Sequence, residues 1–191
     1  MVVSGNRARA WKGQQGFTLM EILIVVIILS VLAAIVMPQF GSSTEDAKLS
    51  SVKNNLTSMR AIVDMYHHQH NNRYPGAYKE TDGTTAAATA ADAATAFVAQ
   101  LTQYTDANGK VSGTKDNTYR FGPYLKQFTL PENPFLTGTA ATNIVVDLTE
   151  NDITVAPTAD GTTGWKFYLL TGRLTANDNV ALSDGTKTTA F

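Results

Sequence analysis

The chain has 191 residues, of which 15 are basic and 16 acidic, a formal net charge of −1 at pH 7, and it contains no cysteine. This length suits one domain of ordinary size once any membrane segment is subtracted. The balanced charge argues against a dedicated nucleic-acid-binding protein, so no nucleic-acid partner is predicted. The missing cysteine excludes disulfides, thiol nucleophiles and cysteine-type zinc sites.

A basic N-terminal stretch precedes a long apolar run. Arg7, Arg9 and Lys12 have no acidic residue among them. As a helix, residues 17–37 would span roughly 30 Å, the thickness of a bilayer's hydrocarbon core. Positive charge before the run and none within it predicts a cytoplasmic N-terminus and export of the rest of the chain. The polar residues of the run are Thr18, Glu21 and Ser30.

Three interpretations of this segment compete. A cleaved secretory signal would have a shorter apolar core and a small-residue cleavage site, for which residues 31–34 are the nearest candidate. A plain uncleaved anchor fits the length and flanks but leaves Glu21 unexplained. The third interpretation starts from the junction G-F-T-L-M-E at residues 16–21. It resembles the prepilin signature of type IV pilins and type II secretion pseudopilins.

That resemblance implies processing. In the family, prepilin peptidase cuts on the cytoplasmic side after the glycine and methylates the new N-terminal residue. Carried over, residues 1–16 are a leader that is removed, Gly16 precedes the cut and Phe17 is the methylated N-terminus. The apolar run is then retained as the transmembrane and filament-core helix, residues 17–37.

Glu21 is a carboxylate within this apolar run, where a charge is normally unfavourable. A charge at mid-bilayer costs about 3 kcal/mol, but a first-turn carboxylate lies near the interface, where the helix dipole favours an anion. The resemblance implies that in a filament Glu21 pairs with the Phe17 ammonium of an adjacent subunit and sets axial register. The alternative is a carboxylate that is merely tolerated at the interface.

The second half of the helix, residues 38–71, has a different pattern. Its apolar residues recur at helical spacing, which predicts an amphipathic helix packed on a globular domain. Pro38 removes an amide donor and Gly41 adds backbone freedom, so we predict a weak point near residues 36–43. The family also commonly has a proline here. The apolar stripe is Val52, Leu56, Met59, Val63 and Tyr66.

Residues 72–191 form the predicted globular region. An alanine-rich stretch predicts a helix over about 86–104, although a low-complexity linker is the alternative. Residues 122–125 (G-P-Y-L) and 130–135 (L-P-E-N-P-F) resemble the loop after the first helix in G-type pseudopilins. Short β-branched runs at 144–146 and 153–155 predict strands.

The strongest predicted strand is Trp165 to Leu170, followed by a tight turn at Thr171-Gly172 and a returning strand at 173–175. The segment G-W-K-F-Y-L-L-T-G-R resembles the family's C-terminal hairpin. The sequence thus predicts an α+β, pilin-like fold. Its long N-terminal helix would pack on a small domain with C-terminal β-hairpins in an antiparallel sheet.

Two polar clusters are candidate metal sites. His67, His68 and His70 could bind a divalent metal, but a solvated helix end is the favoured interpretation. Oxygen ligands near the C-terminus suit calcium, which related G-type pseudopilins bind in a C-terminal loop. No other cofactor is predicted. The candidate calcium ligands are Asn177, Asp178, Asn179 and Asp184.

The predicted function is that of a structural subunit, not an enzyme, because no hydrolase or phosphate-binding motif is present. The resemblance implies a homo-oligomeric filament assembled from the bacterial inner membrane, with an assembly platform protein and minor pseudopilins as partners. The missing disulfide and the G-W hairpin favour the major pseudopilin of a type II secretion system. The alternatives are a type IV pilus major pilin, for adhesion, motility or DNA uptake, and an anchored adhesin that forms no filament.

Overall fold

The computed structural model describes residues 16–191, apart from the side chains of residues 37–42. The chain divides into two compact units, residues up to Ser42 and Ser43–Phe191. Most of the predicted leader therefore lies outside the described residues. The helices are α1 (Leu19–Gln69) and α2 (Ala90–Thr102), with 3-10 turns at Gly138–Thr142 and Thr188–Ala190. The strands are β1 (Tyr104–Thr105), β2 (Val111–Ser112), β3 (Ile144–Asp147), β4 (Trp165–Tyr168) and β5 (Arg173–Ala176).

Helix α1 continues through the predicted weak point. The backbone of residues 37–42 is helical, so this single chain shows no melting at Pro38 or Gly41. A proline removes one hydrogen bond, which a long helix with intact turns on both sides can tolerate. For the assembled filament the weak point stays a prediction.

The second half of α1 carries the core of the globular unit. The five residues of the predicted apolar stripe are each at most 2% exposed, which confirms the amphipathic helix. The helix ends at Gln69 because Asn71 and Asn72 adopt left-handed conformations, with φ of 55° and 58°. The Asn72 N–H donates to the His67 carbonyl (3.0 Å), a bond that closes the last turn of the helix.

The predicted second helix is confirmed, and the linker alternative is excluded. It is shorter than expected because Thr89 caps its first turn, with Oγ1 accepting from the Asp92 N–H (3.1 Å). At the other end Tyr104 belongs to β1, so α2 stops at Thr102. Its apolar face buries Ala93, Ala96, Phe97 and Leu101.

The C-terminal sheet has the order β3-β4-β5 and is mixed, which corrects the expected antiparallel arrangement. β4 and β5 form the predicted hairpin, and Gly172 supplies the left-handed turn residue (φ 70°). β3 pairs with β4 in parallel because the long connection between them returns the chain in the same direction. The domain thus has one C-terminal hairpin, not several.

The predicted strand at 153–155 does not form. Asp152 Oδ1 accepts from the N–H and the hydroxyl of Thr154 (2.8 and 2.7 Å), a local turn that competes with strand pairing. Ile153 is 65% exposed. β-branched residues favour a strand when they pack on a half-buried sheet, so here they predicted a strand wrongly.

The two segments that resemble the pseudopilin loop and hairpin pack against each other. Asn133 Nδ2 donates to the Gly164 carbonyl (3.0 Å), and Trp165 Nε1 donates to the Pro131 carbonyl (2.8 Å). A Cβ at Gly164 would collide with the carbonyl of Ala141. The glycine before the tryptophan is therefore required by this close backbone approach.

His70 lies in the core, which corrects the expected solvated helix end. Its side chain is fully buried and stacks on Tyr66, with ring centroids 3.8 Å apart. Nδ1 lies 2.9 Å from the Tyr66 carbonyl, which can only accept, so Nδ1 carries the proton. Nε2 then accepts from the Thr105 hydroxyl (2.9 Å). A neutral imidazole satisfies both bonds.

This burial predicts that acid destabilises the globular unit. Desolvation lowers the pKa of His70, with backbone hydrogen bonding and Asp106 opposing the shift. The unfolded chain then takes up a proton below its ordinary histidine pKa of about 6.5 while the folded chain does not. The free energy of unfolding should fall as pH decreases from 7.5 to 5, measured by chemical denaturation of the full chain in detergent.

His70→Gln should remove most of that pH dependence, whereas His68→Gln, at an exposed position in the last turn of α1, should keep it. Carboxylates such as Asp147, whose pKa is lowered, also stabilise the folded chain. That contribution is lost only at more acid pH, below about 4. Equal slopes in the two variants would contradict the assignment to His70.

Candidate membrane and assembly segment

Helix α1 begins with a reciprocal cap. The Glu21 N–H donates to Thr18 Oγ1 (3.2 Å), and the Thr18 N–H donates to Glu21 Oε2 (3.4 Å). This is a capping box, in which the N-cap and the third helical residue satisfy each other's backbone donors. The carboxylate therefore has a local role in starting the helix. The T-x-x-E spacing is a known signal for such a cap and could have identified Thr18 from the sequence.

The surface of the first part of α1 is uncovered. Leu19–Val36 has a mean hydropathy of 3.1, is long enough to cross a membrane, and buries none of its residues against the rest of the chain. Large apolar side chains such as Leu19 (85% exposed) and Leu29 (59% exposed) point outward all round the helix. Ser30, the polar residue in its middle, donates its hydroxyl to the Ile27 carbonyl (2.8 Å). The segment thus needs lipid or other apolar helices around it.

The predicted processing site lies just before the capped turn. Gly16 and Phe17 have no regular secondary structure, and no atom of residues 16–191 lies within 4 Å of the position that a Gly16 Cβ would occupy. Phe17 is 80% exposed. A peptide bond outside regular secondary structure is the form in which a peptidase can bind its substrate.

Residues 11–37 match the family described as the prokaryotic N-terminal methylation motif. The chain is also similar to the type II secretion system core protein G of Pseudomonas aeruginosa, with 47% identity over 53 residues, 28% of this chain and 37% of the relative. The protein of the same name from Pectobacterium carotovorum is 42% identical over 62 residues, 32% of this chain and 39% of the relative. That of Aeromonas hydrophila is 29% identical over 122 residues, 64% and 68% of the two chains.

The chain is similar to the type IV pilin and pseudopilin family in its N-terminal segment. The match spans the processing junction and the apolar helix, whose exposed surface fits a subunit of this family. This chain spans about two fifths of the length of the relatives that it matches first. No solved structure matches it significantly.

The C-terminal residues predicted to bind calcium in this pilin-like chain already have internal hydrogen-bond partners. Asp178 accepts from Asn133 Nδ2 (2.6 Å), Thr188 Oγ1 (2.5 Å) and the Val180 N–H (2.9 Å). Asn177 Oδ1 accepts from the Asp160 N–H (3.2 Å).

Asp184 and Asn179, the other two predicted calcium ligands, are not part of this hydrogen-bond network. Asp184 is exposed and accepts from the Thr186 N–H (2.8 Å), and Asn179 occupies a left-handed turn position with φ 55°. Calcium takes six to eight oxygen ligands, and the arrangement does not supply a set of free oxygens. These residues therefore do not fit the ion as arranged, and calcium binding stays an untested prediction. In the described part of the chain no group of three or more His, Asp or Glu residues could hold a metal.

The Asp178 bonds connect the segment around Asn133 to the C-terminal segment. We expect Asp178→Ala to lower the free energy of unfolding by about 3 kcal/mol, because Asn133 Nδ2, the Thr188 hydroxyl and the Val180 N–H each lose the bond to its buried carboxylate. Denaturant titration would measure this loss. Asp184→Ala, at an exposed position, is the matched control and should change the free energy little; equal effects would contradict the buried role.

The same geometry predicts no response to calcium. Adding calcium, or removing it with a chelator, should leave the melting temperature of the purified chain unchanged. A rise with calcium that Asp184→Ala removes would show that the loop rearranges into a binding site.

Proposed function

We propose that this protein is the major pseudopilin of a type II secretion system, a structural subunit and not an enzyme. The observation that carries the proposal is the fully uncovered apolar helix that starts directly behind a prepilin junction. The names of the similar proteins support the secretion role. An anchored adhesin would need only the membrane span and would not explain the junction.

Packing of like helices explains how such a subunit leaves the membrane. An α-helix satisfies its backbone hydrogen bonds internally, so it is stable both in lipid and in a bundle of apolar helices. We propose that residues 17–37 hold each subunit in the inner membrane, with its N-terminus in the cytoplasm and its globular unit in the periplasm. Filament growth then replaces lipid contacts with contacts between copies, and the globular unit forms the filament surface.

Glu21 has a free oxygen for an intersubunit contact. Its Oε2 accepts from the Thr18 N–H, whereas Oε1 has no partner among the described residues. Removal of the leader after Gly16 by prepilin peptidase would give Phe17 a positive charge, and an ammonium of a neighbouring subunit could then reach Oε1. A pair of opposite charges in an apolar bundle is strongly position-dependent, so it would set the register between subunits.

Other partners follow from the same proposal. The assembly platform protein and minor pseudopilins would start and support the filament, and a cytoplasmic motor would power it. These partners are inferred from the proposed role in a secretion system. The apolar helix and the junction, by contrast, are observed in the chain itself.

Mass spectrometry of the protein purified from membranes tests the processing step. We expect a mature N-terminus at Phe17 that carries one methyl group. A chain that keeps residues 1–16, or one cut after residue 34 as a secretory signal would be, contradicts the proposal.

A charge-selective substitution tests assembly. Glu21→Gln keeps an acceptor for the capping box but loses the charge, so it should be inserted and processed normally. We expect its crosslinked oligomers to decrease by about tenfold or more, because the intersubunit ion pair is lost. Thr18→Ala is the matched control: it removes the side-chain cap, keeps the carboxylate and should still assemble. Normal oligomer ladders from Glu21→Gln would refute the register role.

Deletion of the gene separates the pseudopilus from a type IV pilus. A secretion defect without loss of surface fibres is the expected outcome. Surface fibres that disappear on deletion, seen by electron microscopy, would instead assign the chain to a type IV pilus as its major pilin.

A further inference from the structure

The connection between β3 and β4 exposes apolar side chains on a fixed backbone. We call residues 149–163 of this connection the strap. Arg173 Nη1 donates to the carbonyls of Ile153 (3.1 Å) and Val155 (2.7 Å), and the Val155 N–H donates to the Asp152 carbonyl (3.3 Å). The side chains of Ile153 and Val155 are nevertheless 65% and 43% exposed. The strap is therefore tied to the sheet through its backbone and presents two β-branched side chains to solvent.

The exposed part of the strap is acidic. Asp152, next to Ile153, is exposed, and hydrogen bonds from Thr154 lower the pKa of its carboxylate, which is thus ionised at neutral pH. Arg173 lies beneath the strap, with Nε and Nη2 buried, so its cation is not at the surface. The strap contains no lysine or arginine, and its acidic residues are Glu150, Asp152 and Asp160.

A groove of about 460 Å³ lies elsewhere on the globular unit, between the end of α2 and residues 122–128. Tyr104, Pro123, Leu125 and Phe128 give it apolar walls. The Phe128 side chain is 86% exposed. An aromatic ring so exposed is stabilised when another apolar surface covers it. The volume lies within the range of about 300 to 1,000 Å³ found for sites that bury a ligand, so aliphatic side chains can enter.

The groove has a positive border. Lys126 lines it and is exposed. The ion pairs formed within residues 16–191 do not involve the basic side chains of the surrounding segment. The groove thus differs from the strap in the sign of its charge and resembles it in having exposed apolar groups. The charged residues of segment 110–128 are Lys110, Lys115, Asp116, Arg120 and Lys126.

We propose that the strap of one copy of this chain docks into the groove of a second copy in the assembled filament, an inference that rests on the function proposed above. Ile153 enters the groove and covers Phe128. Asp152 then faces Lys126 at the border. Opposite charges favour this pairing, and like charges disfavour contact of two straps or of two grooves.

The placement of the two surfaces explains why the partner is another copy. Strap and groove belong to different elements and share no residue. A contact between unlike surfaces of identical chains leaves a free strap at one end of each pair and a free groove at the other. Further copies can then add in one direction, which is the open series that a filament needs. Contact of one surface with itself would instead close as a two-fold dimer.

Thiol crosslinking in native membranes tests the contact, since the natural chain has no cysteine. Asn151→Cys in the strap and Ser112→Cys in the groove are introduced together into the full chain. A short bis-maleimide should then give a ladder of oligomers, because each copy contributes one thiol to each neighbour. Either cysteine alone should give no ladder. Thr139→Cys with Ser112→Cys, at an exposed position outside both surfaces, is the matched control and should give none.

A lysine-reactive crosslinker on the same membranes reports whether copies assemble at all. A lysine ladder without a bis-maleimide ladder overturns the docking contact and leaves the proposed function standing. No ladder with either reagent overturns both. A bis-maleimide product with an unrelated protein, or a ladder of equal strength from the control pair, also overturns the contact.

Substitutions of the apolar tip of the strap test its role in the double-cysteine chain. Ile153→Ser should reduce the bis-maleimide ladder by about tenfold, because Phe128 then loses its apolar cover. Ile153→Leu keeps the apolar volume and should retain the ladder. Both changes are at an exposed position, so the fold is unaffected. An undiminished ladder from Ile153→Ser would contradict docking through this side chain.

A double-mutant cycle in the same chain tests the charge contact. Lys126→Gln and Asp152→Asn, which keeps an acceptor for Thr154, should each reduce the ladder by about threefold. Together they should reduce it no further, because both remove one contact. Lys115→Gln, an exposed lysine that does not line the groove, controls for net charge and should have little effect. Additive losses, or an equal loss from Lys115→Gln, would contradict the pairing.

Discussion

The apolar surface of α1 is the feature on which the rest of the structure depends. In Leu19–Val36 the apolar side chains surround the helix and none is covered by the chain. Beyond Ser42 the apolar residues keep to one face, and that face is the centre of the globular core. The hydrophobic effect therefore acts on one helix in two ways, within the subunit in its second half and toward lipid or other copies in its first half.

The start of α1 gives Glu21 a local role that is compatible with the proposed assembly role. Thr18 and Glu21 form a capping box that starts the helix within an apolar run. A cap uses one carboxylate oxygen, so the charge stays available for the proposed contact with a neighbouring subunit. Glutamine could provide the cap equally well, and only the charge can provide an ionic contact.

The globular unit depends on polar contacts between distant segments. Asn133, Gly164 and Asp178 connect the loop after α2, the hairpin and the C-terminal segment through bonds of 2.6 to 3.0 Å. In the sequence these residues are separate motifs with no visible relation. Their spatial convergence explains why residues with calcium-ligand chemistry are used here as internal acceptors, since buried donors need acceptors at every position.

Much of this protein was determined by its sequence alone, because the relevant signals are local. The apolar run, the prepilin junction, the stripe from Val52 to Tyr66, the second helix and the β4–β5 hairpin each follow from spacing or turn chemistry within a few residues. Only the tertiary structure decided that His70 is buried, that β3 pairs in parallel and that residues 153–155 form no strand. Those outcomes depend on which distant residues pack together, and neither hydropathy nor β-branching carries that information.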